Sequence, residues 1–136
     1  KSCPSLRGKI VWYKAFLYYI LGNYCCEQMG ENSAHMITIV PGLERTKFKS
    51  VLCHELTHAF QAEHEMLRNF KGYKEGMARW VEYHFLLDNQ NQTEAQKISG
   101  FGLVLLGNML NKILIYEKEH GRAATCRWLA SMDKDR

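Results

Sequence analysis

The pentapeptide His54-Glu55-Leu56-Thr57-His58 has the residue types and the spacing for metal chemistry. On a helix, residues four apart share one face, about one turn apart. Two imidazoles so placed can hold one Zn²⁺ through ring nitrogens at about 2.0–2.1 Å. Glu55 lies about 100° round the helix from His54, close enough to reach a water on the metal without being a ligand. Zinc lowers the pKa of that water toward about 7, and a carboxylate can then take its proton. HExxH on a helix is therefore the pattern of a zinc peptidase. The chain has 6 His and 11 Glu in 136 residues. At that composition chance yields the pattern about 2% of the time, so its surroundings must decide.

Those surroundings favour a helix. Ser50 stands where an N-cap belongs, and neither Pro nor Gly interrupts before Gly72. This predicts a helix of about five turns. Leu52, Leu56 and Phe60 recur at helical spacing and are expected to form its core-facing stripe.

A catalytic zinc needs a third protein ligand and an open position. Glu75, 17 residues after His58, opens a second predicted helix whose buried side holds Met77, Trp80, Val81, His84 and Phe85. Gly76 beside it would let another backbone approach. Residues 71–73 are expected to turn the chain back, laying this helix beside the first. His64 is the rival ligand, in the spacing HExxHxxxxxH. That spacing works in metzincins because a Gly at the position of Gln61 takes φ > 0 and swings the last His back; Gln suits that conformation poorly. If the helix simply continues, His64 points elsewhere. The spacing thus favours Glu75 and keeps His64 as the alternative.

The block VLCHELTHAFQ followed by GYKEGMARWVEY resembles the gluzincins, peptidases that pair a HELTH-like helix with an EG-A-like one. The short spacing between the two also resembles that of plant peptidases carrying LIM domains. The similarity covers roughly residues 36–131. It is specific in the two zinc helices and weak elsewhere, as in Gly100–Leu105 and Tyr116–Gly121. It implies zinc bound by His54, His58 and Glu75, with Glu55 as general base, and it places 36–40 as an edge strand before the HELTH helix. Such an edge offers free N–H and C=O groups to an extended peptide. One departure stands out. Many gluzincins carry an acid four residues after the ligand Glu, supporting a ligand His, and here that place is Arg79. Glu82, seven after Glu75, returns to the same face and can substitute; the other reading of both is a solvated charged face. Tyr73, Tyr83 and His84 are near in sequence, yet none is identified as steadying an oxyanion.

Length and composition fit one domain. The apolar fraction is 46% and the charged fraction 24%, ordinary values for a chain able to bury a core. Net charge is +4, and Arg45, Lys47 and Lys49 alternate with other residues, which argues against nucleic acid as a partner. The five Cys (Cys3, Cys25, Cys26, Cys53, Cys126) are odd in number and contain no CxxC. They read as reduced thiols of a cytoplasmic protein, with disulfides in a secreted protein as the alternative. Cys53 is read as a core residue, not a ligand. Residues 10–21 are too short to span a membrane, and 98–116 carry three Gly, two Asn and Lys112. The start at Lys1, without Met, suggests a fragment of a longer chain.

Elsewhere the pattern is coarser. Residues 9–21 suit a strand or a buried helix, 30–33 a turn, and 35–40 a short strand stopped by Pro41-Gly42. After the polar run 88–92, Thr93 and Gln96 suggest a capping box. The helix that follows runs to about Glu119, interrupted near its glycines, and Arg122–Ser131 makes a last one. His120 is read as a charge at a helix C-terminus. The expectation is one helix-rich α+β zincin-like domain over 1–136, with a small sheet before the HExxH helix, that hydrolyses peptide bonds. The alternatives are a non-catalytic zinc- or peptide-binding module, a metzincin-like site using His64, and a structural protein in which HELTH is coincidence.

Overall fold

The computed structural model describes residues 21–30, 32–105 and 109–133, with backbone alone over 101–105. The fold is α+β: a small antiparallel sheet precedes the helices. Strands β1 (Gly22–Met29) and β2 (Asn32–Ile39) pair from Gly22 opposite Ile39 to Met29 opposite Asn32. Gly30 takes φ +63° in the turn between them, a conformation that favours Gly. Helices α1 (Arg45–Glu63), α2 (Lys71–Asp88), α3 (Gln92–Leu105), α4 (Met109–His120) and α5 (Arg122–Ser131) follow. The segment 9–20 lies outside the described residues. No helix among the described residues is long and apolar enough to cross a membrane.

α1 has the expected length but is shifted toward the N-terminus. Its cap is Glu44, whose carboxylate accepts from the backbone N–H of Thr46 and Lys47. Ser50 is not the cap; it is buried in the second turn, and its hydroxyl donates to Glu82. The helix ends at Glu63 without Gly, because Glu65 and Leu67 adopt positive φ of 51° and 58°. Two left-handed non-Gly residues cost roughly 2–4 kcal/mol together. The Leu67 side chain is fully buried, and burial of a leucine offsets about 1.5–3 kcal/mol of that. The reversal thus lies at 64–70, and residues 71–73 are already helix.

The expected stripe on α1 is overturned. Leu56 is 49% and Phe60 50% exposed, and Leu52 is only half-buried. The buried positions are instead Ser50, Val51, Glu55, Thr57 and Gln61. The reason is positional: the side of α1 turned toward α2 carries His54, His58 and their partners. The apolar core gathers elsewhere, between α2, α4 and α5, from Leu67, Met77, Trp80, Leu110, Ile113 and Leu129. Trp128 stacks on Tyr116 at 4.2 Å between centroids and meets Tyr73 edge-on. Gly76 lets α4 come close, since a Cβ there would lie 2.9 Å from Met109 Cβ and 3.3 Å from its carbonyl carbon. α3 is capped by Asn91, whose side chain accepts from Glu94 N–H, in place of the expected Thr93 box.

Candidate metal centre

His54 and His58 lie one turn apart on α1, and Glu75 reaches them from the second turn of α2. His54 Nε2 and His58 Nε2 are 3.2 Å apart. Glu75 Oε1 is 3.3 Å from His54 Nε2, and its Oε2 is 3.3 Å from His58 Nε2. These three side chains form the one group able to hold a metal ion among the described residues. His64 is not brought in. It caps α1, is exposed, and packs at a tilt against Phe60 with ring centroids 4.2 Å apart.

Each imidazole is held through its other nitrogen. Gln61, fully buried, donates from Nε2 to the Lys74 carbonyl at 2.8 Å. Its oxygen therefore faces His58 Nδ1, which donates to it at 3.0 Å. That arrangement puts the His58 proton on Nδ1 and leaves Nε2 free to ligate. His54 Nδ1 is wholly buried and makes no aligned hydrogen bond. Glu82 Oε2 lies 3.3 Å from it, so the contact is electrostatic. Glu82 is itself buried; its other oxygen accepts from Ser50 Oγ at 3.1 Å and lies 3.9 Å from Lys47 Nζ, an ion pair too long for a hydrogen bond. Glu82 thus occupies the supporting role that the position of Arg79 leaves open; it is not on a solvated face. Arg79 Nε instead donates to Glu75 Oε1 at 3.3 Å.

The charges are mutually tuned. Burial pulls the His54 pKa down, but Glu75 and Glu82 outweigh it and raise it to about 9. Burial pushes the Glu75 carboxyl up, yet hydrogen bonds and charge from His54 and His58 hold it far below the usual carboxylate range. Both are the same interaction seen from two sides. Glu55, next to His54 and 7% exposed, is raised above the ordinary value, first by burial, with His54 and His58 pulling it partly back. A fully buried ring nitrogen facing a carboxylate, and two Nε2 atoms converging on a third acid, fit a bound cation better than a packed core.

Tyr73 and His84, near in sequence but not identified as steadying an oxyanion, are engaged in packing and ion pairs. Tyr73 packs on Phe70 and Trp128, and His84 meets Glu117 and Arg122. Three residues near the site had no spacing to betray them. Gly22 abuts Glu55 and Val51. Tyr24 stacks beside His58 at 6.4 Å between ring centroids. Its hydroxyl hydrogen-bonds His35 Nδ1 at 2.8 Å, and His35 Nε2 pairs with Glu63. Burial, then Cys26 and the charge of Glu63, raise the Tyr24 pKa. Gln61, by contrast, sits three residues after His58 on one helix face, a spacing that sequence alone displays. Cys53 is half-buried and no ligand, and Cys26, Cys53 and Cys126 are free thiols. Comparison with protein-family models, with curated proteins and with solved structures finds no match to this chain.

Proposed function

We propose that this protein is a zinc-dependent metallopeptidase, with His54, His58 and Glu75 as metal ligands and Glu55 as general base. The donor cluster carries the reading. The two Nε2 atoms lie 3.2 Å apart, and each is 3.3 Å from a different oxygen of Glu75, spacings close to the roughly 3.3 Å between neighbouring ligand atoms of a tetrahedral zinc with bonds of about 2.05 Å. Zinc, when bound, supplies Lewis acidity to a water and to a peptide carbonyl. Glu55 takes the proton of the attacking water and passes it to the leaving amine as the C–N bond breaks. Glu82 and Gln61 orient the two imidazoles, and an edge of the β1–β2 hairpin that pairs with no other strand among the described residues can take an extended peptide.

One observation favours a second reading. The guanidinium of Arg79 holds Glu75 Oε1, as in a metal-free peptide-binding module. Chelator competition with Zn²⁺ on wild type and Glu75→Ala separates the two. Tight one-to-one binding, weakened by orders of magnitude in the variant, supports the metal site; no binding in wild type supports the module. Chelator-sensitive cleavage of unstructured proteins and a peptide library, abolished by Glu55→Gln with zinc retained, then supports the peptidase. Full activity in Glu55→Gln overturns the mechanism.

A further inference from the structure

The first residue of β1 sits on the carboxylate assigned as base. A Cβ at Gly22 would lie 2.7 Å from Glu55 Oε1, 2.9 Å from Glu55 Cγ and 2.7 Å from Val51 Cγ1. Gly22 does not have the positive φ of Gly30, Gly42 and Gly121, so alanine meets no backbone obstacle there and only space opposes it. We propose that Gly22 is a positioning residue: its missing side chain makes the room in which the Glu55 carboxylate is held. This deepens the peptidase reading and rests on it for Glu55's role.

The hairpin is held together beside Gly22 and tied to α1 further along. The Val40 N–H donates to the Leu21 carbonyl at 2.9 Å, closing the ladder beside Gly22. His35 is paired with Glu63 in the last turn of α1, and the Tyr24 hydroxyl is tied to His35 Nδ1. The group most free to yield is the far end of the glutamate. To reach ordinary contact at 3.4 Å from 2.7 Å, Oε1 must retreat by about 0.7 Å. Misplacing a reacting group by about 1 Å can cost roughly 100-fold in rate.

The full chain carrying Gly22→Ala tests this, alone and combined with Val51→Ala, which removes the other group the new methyl would meet and leaves Glu55 in place. The probes are Zn²⁺ alone, a quenched peptide that wild type cleaves, and the ¹³C carboxyl resonance of Glu55 in the metal-free protein. The expected result is a kcat about 10–100-fold lower with KM and zinc affinity essentially unchanged, and a displaced Glu55 resonance. In the Val51→Ala background, Gly22→Ala lowers kcat by a similar factor, because the contact with Glu55 persists. Strain against Val51 appears as a drop in the unfolding midpoint that Val51→Ala relieves. A loss of kcat that Val51→Ala abolishes, zinc affinity falling with kcat, or an unmoved Glu55 resonance overturns the proposal. If wild type cleaves nothing, the peptidase reading fails, while the resonance still decides whether Gly22 places the carboxylate.

Discussion

Exchanging Glu82 for Gln removes one negative charge 3.3 Å from the buried His54 Nδ1 while keeping the side chain's volume. The amide oxygen can still accept from Ser50, now 3.1 Å from Glu82 Oε1, so the fold should survive. Partners of this kind are worth about 10–100-fold in metal affinity, or roughly 1.4–2.7 kcal/mol. The low exposure of both side chains, 14% for His54 and 10% for Glu82, places the effect toward the upper end, since little water screens the pair. A second effect opposes it. Glu82 helps hold the His54 proton up to about pH 9 in the metal-free protein, and zinc must displace that proton to bind. Removing Glu82 eases that competition, so at pH 7 the measured loss is partly hidden. The ratio of wild-type to variant affinity should therefore widen from pH 7 to pH 9.5 in chelator competition. Lys47→Ala, which alters a partly exposed contact at 3.9 Å, should change affinity less than threefold, as expected for a pair near water. Identical zinc affinity for wild type and Glu82→Gln at both pH values would refute the supporting role of Glu82.

The metal-free protein should lose stability as pH rises. Its His54 pKa of about 9 lies above the unfolded value of 6.5, so the contribution is complete below about 6.5 and gone above about 9. Urea unfolding should register at most about 3 kcal/mol over that window; saturating zinc should reverse the slope, and a flat metal-free profile would contradict the His54–Glu75–Glu82 contacts. Gln61→Ala should destabilise by about 1–3 kcal/mol, because the fully buried Gln61 side chain bonds both the Lys74 carbonyl and His58 Nδ1 and the variant leaves both without it; an unshifted denaturant midpoint would count against those bonds. Leu56→Ser, on the exposed side of α1, should change stability by less than about 1 kcal/mol, whereas Leu86→Ala in the fully buried interior should cost about 2–5 kcal/mol. The reverse order in thermal melts would restore the stripe to the core.

The cluster of metal-capable side chains was the most legible part of the chain. His54, His58 and Glu75 converge as spacing proposed, because a four-residue step fixes a helix face whatever surrounds it. The amphipathic rule misled on the same helix. Leu52, Leu56 and Phe60 have helical period, but period does not say which face is inward, and here a polar face turns toward α2. Helix ends followed local details beneath the pattern. Glu44 caps with a carboxylate where Ser50 offered a better-known signal, and Glu65 and Leu67 turn the chain without Gly. The last helix fell where its flanks placed it, since Gly121 takes φ +82° just before Arg122. Tyr24, His35 and Gly22 reach α1 only through the tertiary path of the hairpin, a path that no motif encodes.

The arrangement of donors also has a kinetic side. His54, His58 and Glu75 sit within one helical hairpin, α1 and α2, so the donor set closes over a short stretch of chain and needs no distant partner. Loop-closure entropy for such a span is small, and local contacts form early in folding. Gly22 must instead find Glu55 across the longer path of β1, β2 and the start of α1. Zinc captured by the helical hairpin would thus stabilise the folding transition state and speed folding, whereas the seating of the strand over Glu55 would chiefly slow unfolding. On the proposed reading, metal capture and the seating of the Glu55 carboxylate would be separate events in the life of one chain.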